Sequence, residues 1–558
     1  MKKTNKFLFL FPLFFYFAFT MLLFPSDLIL FNGKVITAKG AQVTEAVVIK
    51  GKKIVFTGTT EKALKYKKGP TEIFDLKGKT VTPGFHDSDT NFKLGSELFG
   101  NKLNLYGLSK KEIIKKLRQY FDSPGKKSIV YGYLFDHLNS KGEKWPSKHD
   151  LDKISGSIPI IVYRTGGRSA WVNSKVLKTA GISRFTPDVK GGEIFRFPDR
   201  SPTGILMNNA LSLLDKLNPE ANDPDPETFR KNLLKNVKIA NSLGITSVTT
   251  SGGSYLIEQL KALQKEKKLT LRFFVSLPAK NIGSYMIKKL AFNSGNDYIR
   301  TGFLKITADG SFSSQSAAIF SKYIGKNNYG PLLLNRYELL ELTEVLHRNK
   351  WQAGIHAEGN RSVFTFLNIL EKLYKRYGAR GSRHRIENSK LVLGSDLKRI
   401  SKLSVVLSIR PAECSGEFHL AEKTLGERTA SSFSAIASLK DKNIPVIFGS
   451  GWPENTMDPI PGLYFALKRK NIKNREPVEE WFAEEKIPLH EAIRSYTFWP
   501  AYATYSEKRA GTIEAGKSAD IIIFNSDISG SLKGKKPSIT DLSVFRTIVG
   551  GKTVFKSR

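Results

Sequence analysis

Short apolar runs alternate with amphipathic stretches through the middle of the chain. Eight runs have the length and composition of buried β-strands, and apolar residues at helical spacing lie between most of them. The runs cover residues 80–85, 244–249, 271–277, 302–307, 352–357, 384–388, 404–409 and 444–449. Strands that alternate with helices form parallel sheets, so this pattern predicts an α/β fold with a (β/α)8 TIM barrel.

The first two predicted barrel strands are separated by far more residues than a crossover helix requires. An inserted subdomain must therefore follow strand one. We place it at about residues 95–235, with a strand of its own at residues 158–163.

Both ends of the chain have the pattern of short strands joined by tight turns. Residues 27–35 carry an Asn-Gly pair between two apolar runs, and residues 544–555 turn on a Gly-Gly pair. Residues 511–524 predict a turn followed by a strand. We expect residues 25–79 and 508–558 to form one small composite β-sandwich, with the barrel spanning residues 80–507.

The first 24 residues have the pattern of an export segment. Lys2, Lys3 and Lys6 precede an apolar run over residues 7–24, which indicates a signal peptide or a signal anchor. The run is near the lower limit for spanning a bilayer, so both alternatives stay open. Either one predicts an exported protein in the periplasm or another extracytoplasmic space, which residues 7–24 would anchor to the inner membrane if retained.

The charge balance is strongly basic. Lysine and arginine number 88 against 51 acidic residues, which gives a net charge of +37. Such a charge predicts attraction to anionic surfaces, including a membrane surface. The lysines are scattered rather than clustered in a motif, which argues against specific nucleic-acid binding. Cys414 is the only cysteine, which excludes an intrachain disulfide and a zinc site built from several thiolates.

Candidate chemistry lies at the carboxyl ends of the predicted strands, because that end of a barrel carries the active site. Polar or unusual residues occupy this position after five of the eight strands. They are Asp89 and Asn91 after strand one, Lys305 in strand four, His356 in strand five, Asn388 in strand six and Gly451 after strand eight.

Several short motifs around these positions resemble successive blocks of amidohydrolase family 3. The motifs are PGF at 83–85, DGS at 309–311, HAEGN at 356–360, RHRIEN at 383–388 and FGSG at 448–451. That family includes enzymes similar to N-substituted-formamide deformylase and N-acyl hydrolases, which cleave non-peptide C–N bonds. The resemblance covers essentially the whole mature chain and implies the barrel with a composite β-sandwich.

The resemblance also implies a divalent metal, usually zinc, at the barrel mouth. A His-x-His pair of strand one and histidines of strands five and six hold it, often with a carboxylated lysine of strand four. An aspartate of strand eight completes the site and relays a proton. By position, only Lys305 and His356 keep the expected residue type.

Four of the six expected positions are altered. Asp89 and Asn91 replace the strand-one pair, Asn388 replaces the strand-six histidine, and Gly451 replaces the aspartate. Neutral amides are poor zinc ligands, and glycine has no proton acceptor. We therefore expect that metal is absent or weakly bound.

Without metal, Lys305 is expected to be an ordinary ammonium group paired with Asp89 or Asp309. In the insertion, Arg168 stands where the family pattern has a histidine. Arg168, His384 and Glu387 are the candidates for contact with a ligand.

Three interpretations of function remain open. The favoured one is a catalytically weak or inactive relative that binds a small molecule in the barrel mouth. The second is an active single-metal hydrolase of N-acyl or N-formyl compounds that uses Asp89 and His356. The third is a basic protein that binds anionic envelope surfaces. The sequence leaves open whether the protein is an enzyme.

Overall fold

The structure is a computed structural model that describes residues 27–98, 103–123, 128–137, 145–217, 225–472, 477, 479–528, 530 and 541–557. The predicted signal segment, residues 1–24, lies outside this part of the chain. No helix among the described residues has both the length and the apolar character needed to cross a bilayer.

Strands and helices alternate in chain order. The strands are Leu28–Phe31 (β1), Lys34–Ile36 (β2), Val43–Thr44 (β3), Ala46–Lys50 (β4), Lys53–Gly58 (β5), Glu72–Asp75 (β6), Thr80–Pro83 (β7), Phe85–Thr90 (β8), Leu103–Asn104 (β9), Val130–Phe135 (β10), Ile160–Arg164 (β11), Ser169–Val172 (β12), Gly192–Arg196 (β13), Pro202–Asn208 (β14), Ile245–Ser251 (β15), Arg272–Pro278 (β16), Ile299–Thr307 (β17), Ala353–His356 (β18), Arg385–Glu387 (β19), Val406–Ile409 (β20), Val446–Phe448 (β21), Ile521–Phe524 (β22), Val544–Val549 (β23) and Lys552–Lys556 (β24). The α-helices are Thr60–Leu64 (α1), Phe92–Leu98 (α2), Lys110–Asp122 (α3), Lys148–Asp152 (α4), Ser174–Thr179 (α5), Pro226–Ser242 (α6), Gly253–Lys265 (α7), Ile282–Ile287 (α8), Arg336–Arg348 (α9), Asn360–Tyr377 (α10), Leu397–Lys402 (α11), Pro411–Leu425 (α12), Glu427–Ala430 (α13), Ile436–Asp441 (α14), Pro459–Lys468 (α15), Leu489–Tyr496 (α16) and Phe498–Ala503 (α17).

The central sheet has eight strands in the order β8-β15-β16-β17-β18-β19-β20-β21, and every neighbouring pair is parallel. Its two edges meet just beyond β21. The Gly451 N–H donates to the Asp89 carbonyl at 2.9 Å, and the Asn91 N–H donates to the Trp452 carbonyl at 2.7 Å. These contacts bring the first and last strands together, so the predicted TIM barrel is confirmed.

The first barrel strand begins later than predicted. Residues 80–83 form β7, which pairs with β2 and β22 outside the barrel, and the barrel strand is β8. The chain changes sheets at Gly84, whose N–H donates to Asp520, whereas the next N–H, of Phe85, donates to Gly244. Asp89 consequently lies within the first barrel strand rather than after it.

The two chain ends form two sheets at the amino-terminal end of the barrel strands. One has the order β5-β4-β1-β6 and the other has the order β24-β23-β22-β7-β2-β3. The second sheet joins both ends, because β22 pairs antiparallel with β7. A shared apolar core that includes Leu30, Val47, Ile521 and Ile548 fills the space between them. The predicted composite β-sandwich is confirmed.

The insertion after strand one forms a six-stranded sheet in the order β13-β14-β12-β11-β10-β9. The strand predicted at residues 158–163 is β11. Gly166 and Gly167, with φ of 87° and 61°, turn the chain from β11 into β12. Arg168 follows this turn and donates from Nη2 to Thr307 Oγ1 at the end of β17, 3.0 Å away. The insertion therefore reaches over the carboxyl ends of the barrel strands.

Gly84 is predicted to be required where the chain changes sheets. A Cβ atom at this position would lie 2.2 Å from Oγ1 and 2.7 Å from Cβ of Thr246, a β-branched side chain in β15. We expect Gly84→Ala to destabilise the protein by roughly 1–3 kcal/mol in urea unfolding. Gly156→Ala is the matched control, because an added Cβ there has no neighbour within 4 Å. Equal unfolding midpoints for the two variants would contradict this explanation.

Candidate functional site

A cavity of about 1200 Å³ opens at the carboxyl ends of the barrel strands, between the strands and the insertion. It brings together most of the residues that the sequence singled out. These are Asp89, Asn91, Arg168, Lys305, His356, Asn388 and Gly451. His384 and Glu387 do not line it.

Arg410, which directly follows β20, is the central cation of this cavity. Its Nε and Nη2 atoms contact Asp89 Oδ2 at 2.8 and 2.7 Å. Its Nη1 atom contacts Glu413 Oε2 at 2.9 Å and Glu454 Oε2 at 3.2 Å. One guanidinium therefore connects carboxylates from β8, from the first turn of α12 and from the loop after β21. The Arg410 side chain is only 11% exposed, so the pairs are largely removed from water.

The same guanidinium occupies the space beside Gly451. A Cβ atom at this glycine would lie 2.8 Å from both Cζ and Nη1 of Arg410. Gly451 also has a φ of 74°, in the left-handed region that favours glycine. An aspartate at this position, as the family pattern has it, would collide with Arg410 in its present place.

Both partners of the central ion pair remain charged. Burial alone would raise the pKa of the Asp89 carboxyl, but Arg410 and Lys305 outweigh it and hold that pKa below its ordinary value. Burial likewise opposes the charge of Arg410, and Asp89, Glu413 and Glu454 raise its pKa well above the usual range. The buried charges therefore stabilise one another.

A second buried cluster surrounds Glu358. Its Oε1 atom accepts a hydrogen bond from Asn388 Nδ2 at 2.6 Å, and its Oε2 atom accepts one from the Phe312 N–H at 2.8 Å. Lys390 lies 3.2 Å from Glu358 Oε2 and 2.7 Å from Glu417 Oε2. Asn388 thus uses its amide nitrogen to anchor Glu358. Its Oδ1 atom is buried without a hydrogen-bond partner among the described residues.

His356 presents a free ring nitrogen to the cavity. Its Nε2 atom is buried without a hydrogen-bond partner in the part of the chain that the structure describes. The nearest carboxylate oxygen is Glu358 Oε1, at 3.6 Å. Burial, followed by the charges of Arg168 and Lys305, lowers the pKa of His356 well below its ordinary value. The imidazole is therefore neutral, and its Nε2 atom can form a hydrogen bond with a ligand as donor or acceptor, depending on the tautomer.

Lys305 and Arg168 place two cations along β17. The strand register sets Thr307 opposite His356, and Lys305 lies two residues earlier on the same face of the strand. Arg168 is held at Thr307 by its Nη2 atom, while its buried Nε has no hydrogen-bond partner among the described residues. Lys305 Nζ likewise forms no hydrogen bond or ion pair with any of them.

The expected pairing of Lys305 with Asp89 or Asp309 does not form. Asp89 is instead bound by Arg410. The Asp309 carboxylate accepts hydrogen bonds from the Ala318 and Gly359 N–H groups and from other neighbours in the buried loop. Two directed donors of a guanidinium compete better for one carboxylate oxygen than a single ammonium does.

Three other predicted residues have structural partners. His384 accepts the Ala353 N–H at Nδ1 and lies 3.0 Å from His347 through Nε2, outside the cavity. Glu387 binds Arg385 in the barrel interior, with Oε1 2.6 Å from Nε. Asn91 lines the cavity, but its Oδ1 atom accepts the Leu94 N–H in the first turn of α2.

These residues do not fit the metal centre that the family pattern implies. Among the described residues, no group of three or more His, Cys, Asp or Glu side chains is arranged to hold a metal ion. Asp89 already accepts two N–H groups of Arg410, and Asn388 offers only a neutral amide oxygen. His356 is left as the one good donor, whereas protein zinc sites use about three or four.

The sequence interpretation missed four residues of the site, Arg410, Glu413, Glu454 and Lys390. Arg410 directly follows the strand predicted at residues 404–409. Because active-site residues of a barrel lie at the carboxyl ends of its strands, Arg410 could have been predicted from its position. Glu413 lies three residues further on, in the first turn of α12. Nothing in the sequence alone marks Lys390 and Glu454 as partners of these groups.

Comparisons with known proteins agree with this architecture. The Arabidopsis thaliana protein named LONG AFTER FAR-RED 3 is 27% identical over 95% of this chain and 92% of its own length. N-substituted formamide deformylase of Arthrobacter pascens is 24% identical over 94% and 97%. A metal-dependent hydrolase of Pyrococcus horikoshii, described as uncharacterized, superimposes with a TM-score of 0.69 at 24% identity and covers 89% of this chain and 96% of its own.

A sequence profile of the amidohydrolase family matches residues 72–555, which include the barrel, the insertion and the strands of the composite sandwich from β6 onwards. The match covers well over half of the chain. The chain belongs to the amidohydrolase family.

Proposed function

We propose that this amidohydrolase-family protein binds an anionic small molecule at its barrel mouth and does not perform metal-dependent C–N hydrolysis. The observation that carries this proposal is the position of Arg410. Its guanidinium is bound to Asp89 and fills the space beside Gly451. In the family pattern, both of these positions belong to the metal site.

The chemistry of a guanidinium differs from that of a metal ion. A bound divalent metal coordinates water and lowers its pKa, which produces a nucleophile at neutral pH. Arginine supplies a fixed positive charge but has no coordination site, and it stays protonated in proteins. Gly451 provides no side chain to accept a proton. The site therefore has fixed cations but lacks the groups that activate water.

The unpaired cations favour an anionic ligand. Lys305 and Arg168 have donor atoms without carboxylate partners among the described residues, and the neutral His356 ring lies beside them. A carboxylate that bound here would satisfy these donors with charge-assisted hydrogen bonds. The carboxylates on the other side of the cavity are already paired, Glu413 with Arg410 and Glu417 with Lys390.

A single-metal hydrolase that uses Asp89 and His356 is less well supported. A metal at Asp89 would share that carboxylate with the Arg410 guanidinium, which already holds Oδ2 through two nitrogen atoms. Two neighbouring positive charges in a largely dry site would repel each other strongly. The proposed location is extracytoplasmic, on the basis of the export pattern in residues 1–24.

Ligand binding is tested with a thermal-shift panel of carboxylates, each paired with its neutral amide, such as phenylacetate and phenylacetamide. We expect some carboxylates to stabilise the protein, their amides not to, and EDTA to have no effect. For a stabilising carboxylate, Lys305→Met and Arg168→Gln should each weaken calorimetric binding by roughly tenfold or more, which corresponds to one charged hydrogen bond.

Lys231→Met is the matched control, since this exposed lysine of α6 lies away from the cavity. If no carboxylate stabilises the protein, or if binding requires a metal that EDTA removes, the proposal is wrong.

The central ion pair predicts a strong coupling between two substitutions. Arg410→Met leaves Asp89 buried without its cation and should reduce the free energy of unfolding by roughly 3–5 kcal/mol. Adding Asp89→Asn should recover part of this loss, because the uncompensated charge is removed. Urea unfolding of both single variants and the double variant measures the coupling. Additive effects would show that the two groups do not depend on each other.

The same pair predicts a pH dependence with a defined sign. The pKa of Asp89 is lower in the folded protein than its ordinary value, so its ionised form contributes stability at neutral pH. That contribution is lost as the pH falls below about 4 towards the folded-state pKa. The stability difference between the native protein and Asp89→Asn should therefore shrink in acid, and a constant difference from pH 7 to pH 3 would contradict this assignment.

A further inference from the structure

Two turns of the composite sandwich bring three lysines together. Lys52 and Lys53 lie at the β4–β5 turn, and Lys552 begins β24 after the Gly550-Gly551 turn. The backbones of the two turns are in contact, because a Cβ atom at Gly551 would lie 1.8 Å from the Gly51 carbonyl oxygen. Ala519 also bridges them, since it donates to the Lys52 carbonyl and accepts the Gly551 N–H, each at 2.9 Å.

These three lysines are exposed, and none forms an ion pair with any residue that the structure describes. In the same domain Lys39 and Lys65 pair with Glu514 and Glu61, whereas Lys67 and Lys68 are also exposed without an ion pair among the described residues. Like charges on adjacent turns repel one another unless an anionic surface neutralises them. We refer to Lys52, Lys53 and Lys552 as the turn lysines.

The chain enters the domain at the same turn. Asp27, the first described residue, accepts the Gly51 N–H at its carboxylate, and its own N–H donates to the Ile49 carbonyl at 2.9 Å. In the sequence, only Pro25 and Ser26 separate Asp27 from the apolar run of residues 7–24. A bilayer that received this run would therefore have its headgroups beside the turn lysines.

We infer that the turn lysines form a docking surface for the anionic lipid headgroups of a membrane. Each lysine near an anionic leaflet favours the docked state by about fivefold, and screening by salt weakens this attraction. The surface is independent of any ligand in the barrel. The composite sandwich meets the barrel at Gly84, where β8 begins, whereas the cavity lies where β8 ends. Docking through the turn lysines thus leaves the cavity open to the aqueous side.

The experiment compares the full chain in vesicles of phosphatidylglycerol and of phosphatidylcholine. Lysines are acetylated with a water-soluble reagent, and the rate at each one is measured by mass spectrometry. We expect the turn lysines to react at least about threefold more slowly in phosphatidylglycerol than in phosphatidylcholine, with the difference reduced in high salt. Lys111 and Lys115, which are exposed on α3 of the insertion, are internal controls and should react equally in both.

The two vesicle types carry the same acyl chains and differ in their headgroups, so the comparison isolates the charge of the headgroups. Equal rates at the turn lysines in the two lipids would overturn the inference. So would equal protection of the α3 lysines, which would mean that lipid binding is spread over the basic surface rather than directed to the two turns.

Discussion

The buried guanidinium of Arg410 holds together the place where the barrel closes. Its three carboxylate partners are Asp89 in β8, Glu413 in α12 and Glu454 in the loop after β21. A buried charge is tolerated only when its partners are well placed. Removal of one partner leaves the other charge buried and uncompensated, which destabilises the folded protein. The geometry of this edge of the cavity therefore depends on Arg410 together with the backbone hydrogen bonds that join the same strands, and Gly451 leaves room for the guanidinium.

This arrangement divides the barrel mouth into two halves. On the side of β19 to β21, the surrounding carboxylates form ion pairs with Arg410 and Lys390. Asn388 Oδ1 on this side has no hydrogen-bond partner among the described residues. On the side of β17 and β18, Lys305, Arg168 and His356 each have a polar atom without a hydrogen-bond partner among the described residues. The insertion contributes Arg168 and covers this second half. A ligand bound there would therefore contact both the insertion and the barrel.

The sequence predicted the fold well because the barrel and the sandwich rest on apolar periodicity. It misplaced the first barrel strand because residues 86–90 are all polar or charged, although the structure buries them. Some of their polar atoms find partners on neighbouring strands and loops, as when His86 Nε2 meets Thr249 Oγ1 and Asp87 accepts the Ser450 N–H. Asp87 Oδ2 and Ser88 Oγ are buried without a partner among the described residues. Buried polar strands of this kind cannot be recognised from hydropathy, since their partners are distant in sequence.

The candidate site was predictable by position but not by partner. Asp89, Lys305 and His356 do line one cavity, as the barrel topology requires. The choice of Arg410 over Lys305 as the partner of Asp89 depends on side-chain reach and on the space at Gly451, which become visible only in three dimensions. His384 was predicted to contact a ligand because it lies next to a barrel strand. Its side chain instead lies against His347, outside the cavity.

We propose that the guanidinium of Arg410, a fixed organic cation, stands where the family pattern has a metal ion. Metal analysis of the purified full chain, after dialysis against zinc and then against metal-free buffer, tests it most directly. We predict a zinc content far below one ion per chain, unchanged in His356→Ala. One tightly held zinc ion per chain that disappears in His356→Ala would show that the barrel mouth is a metal site.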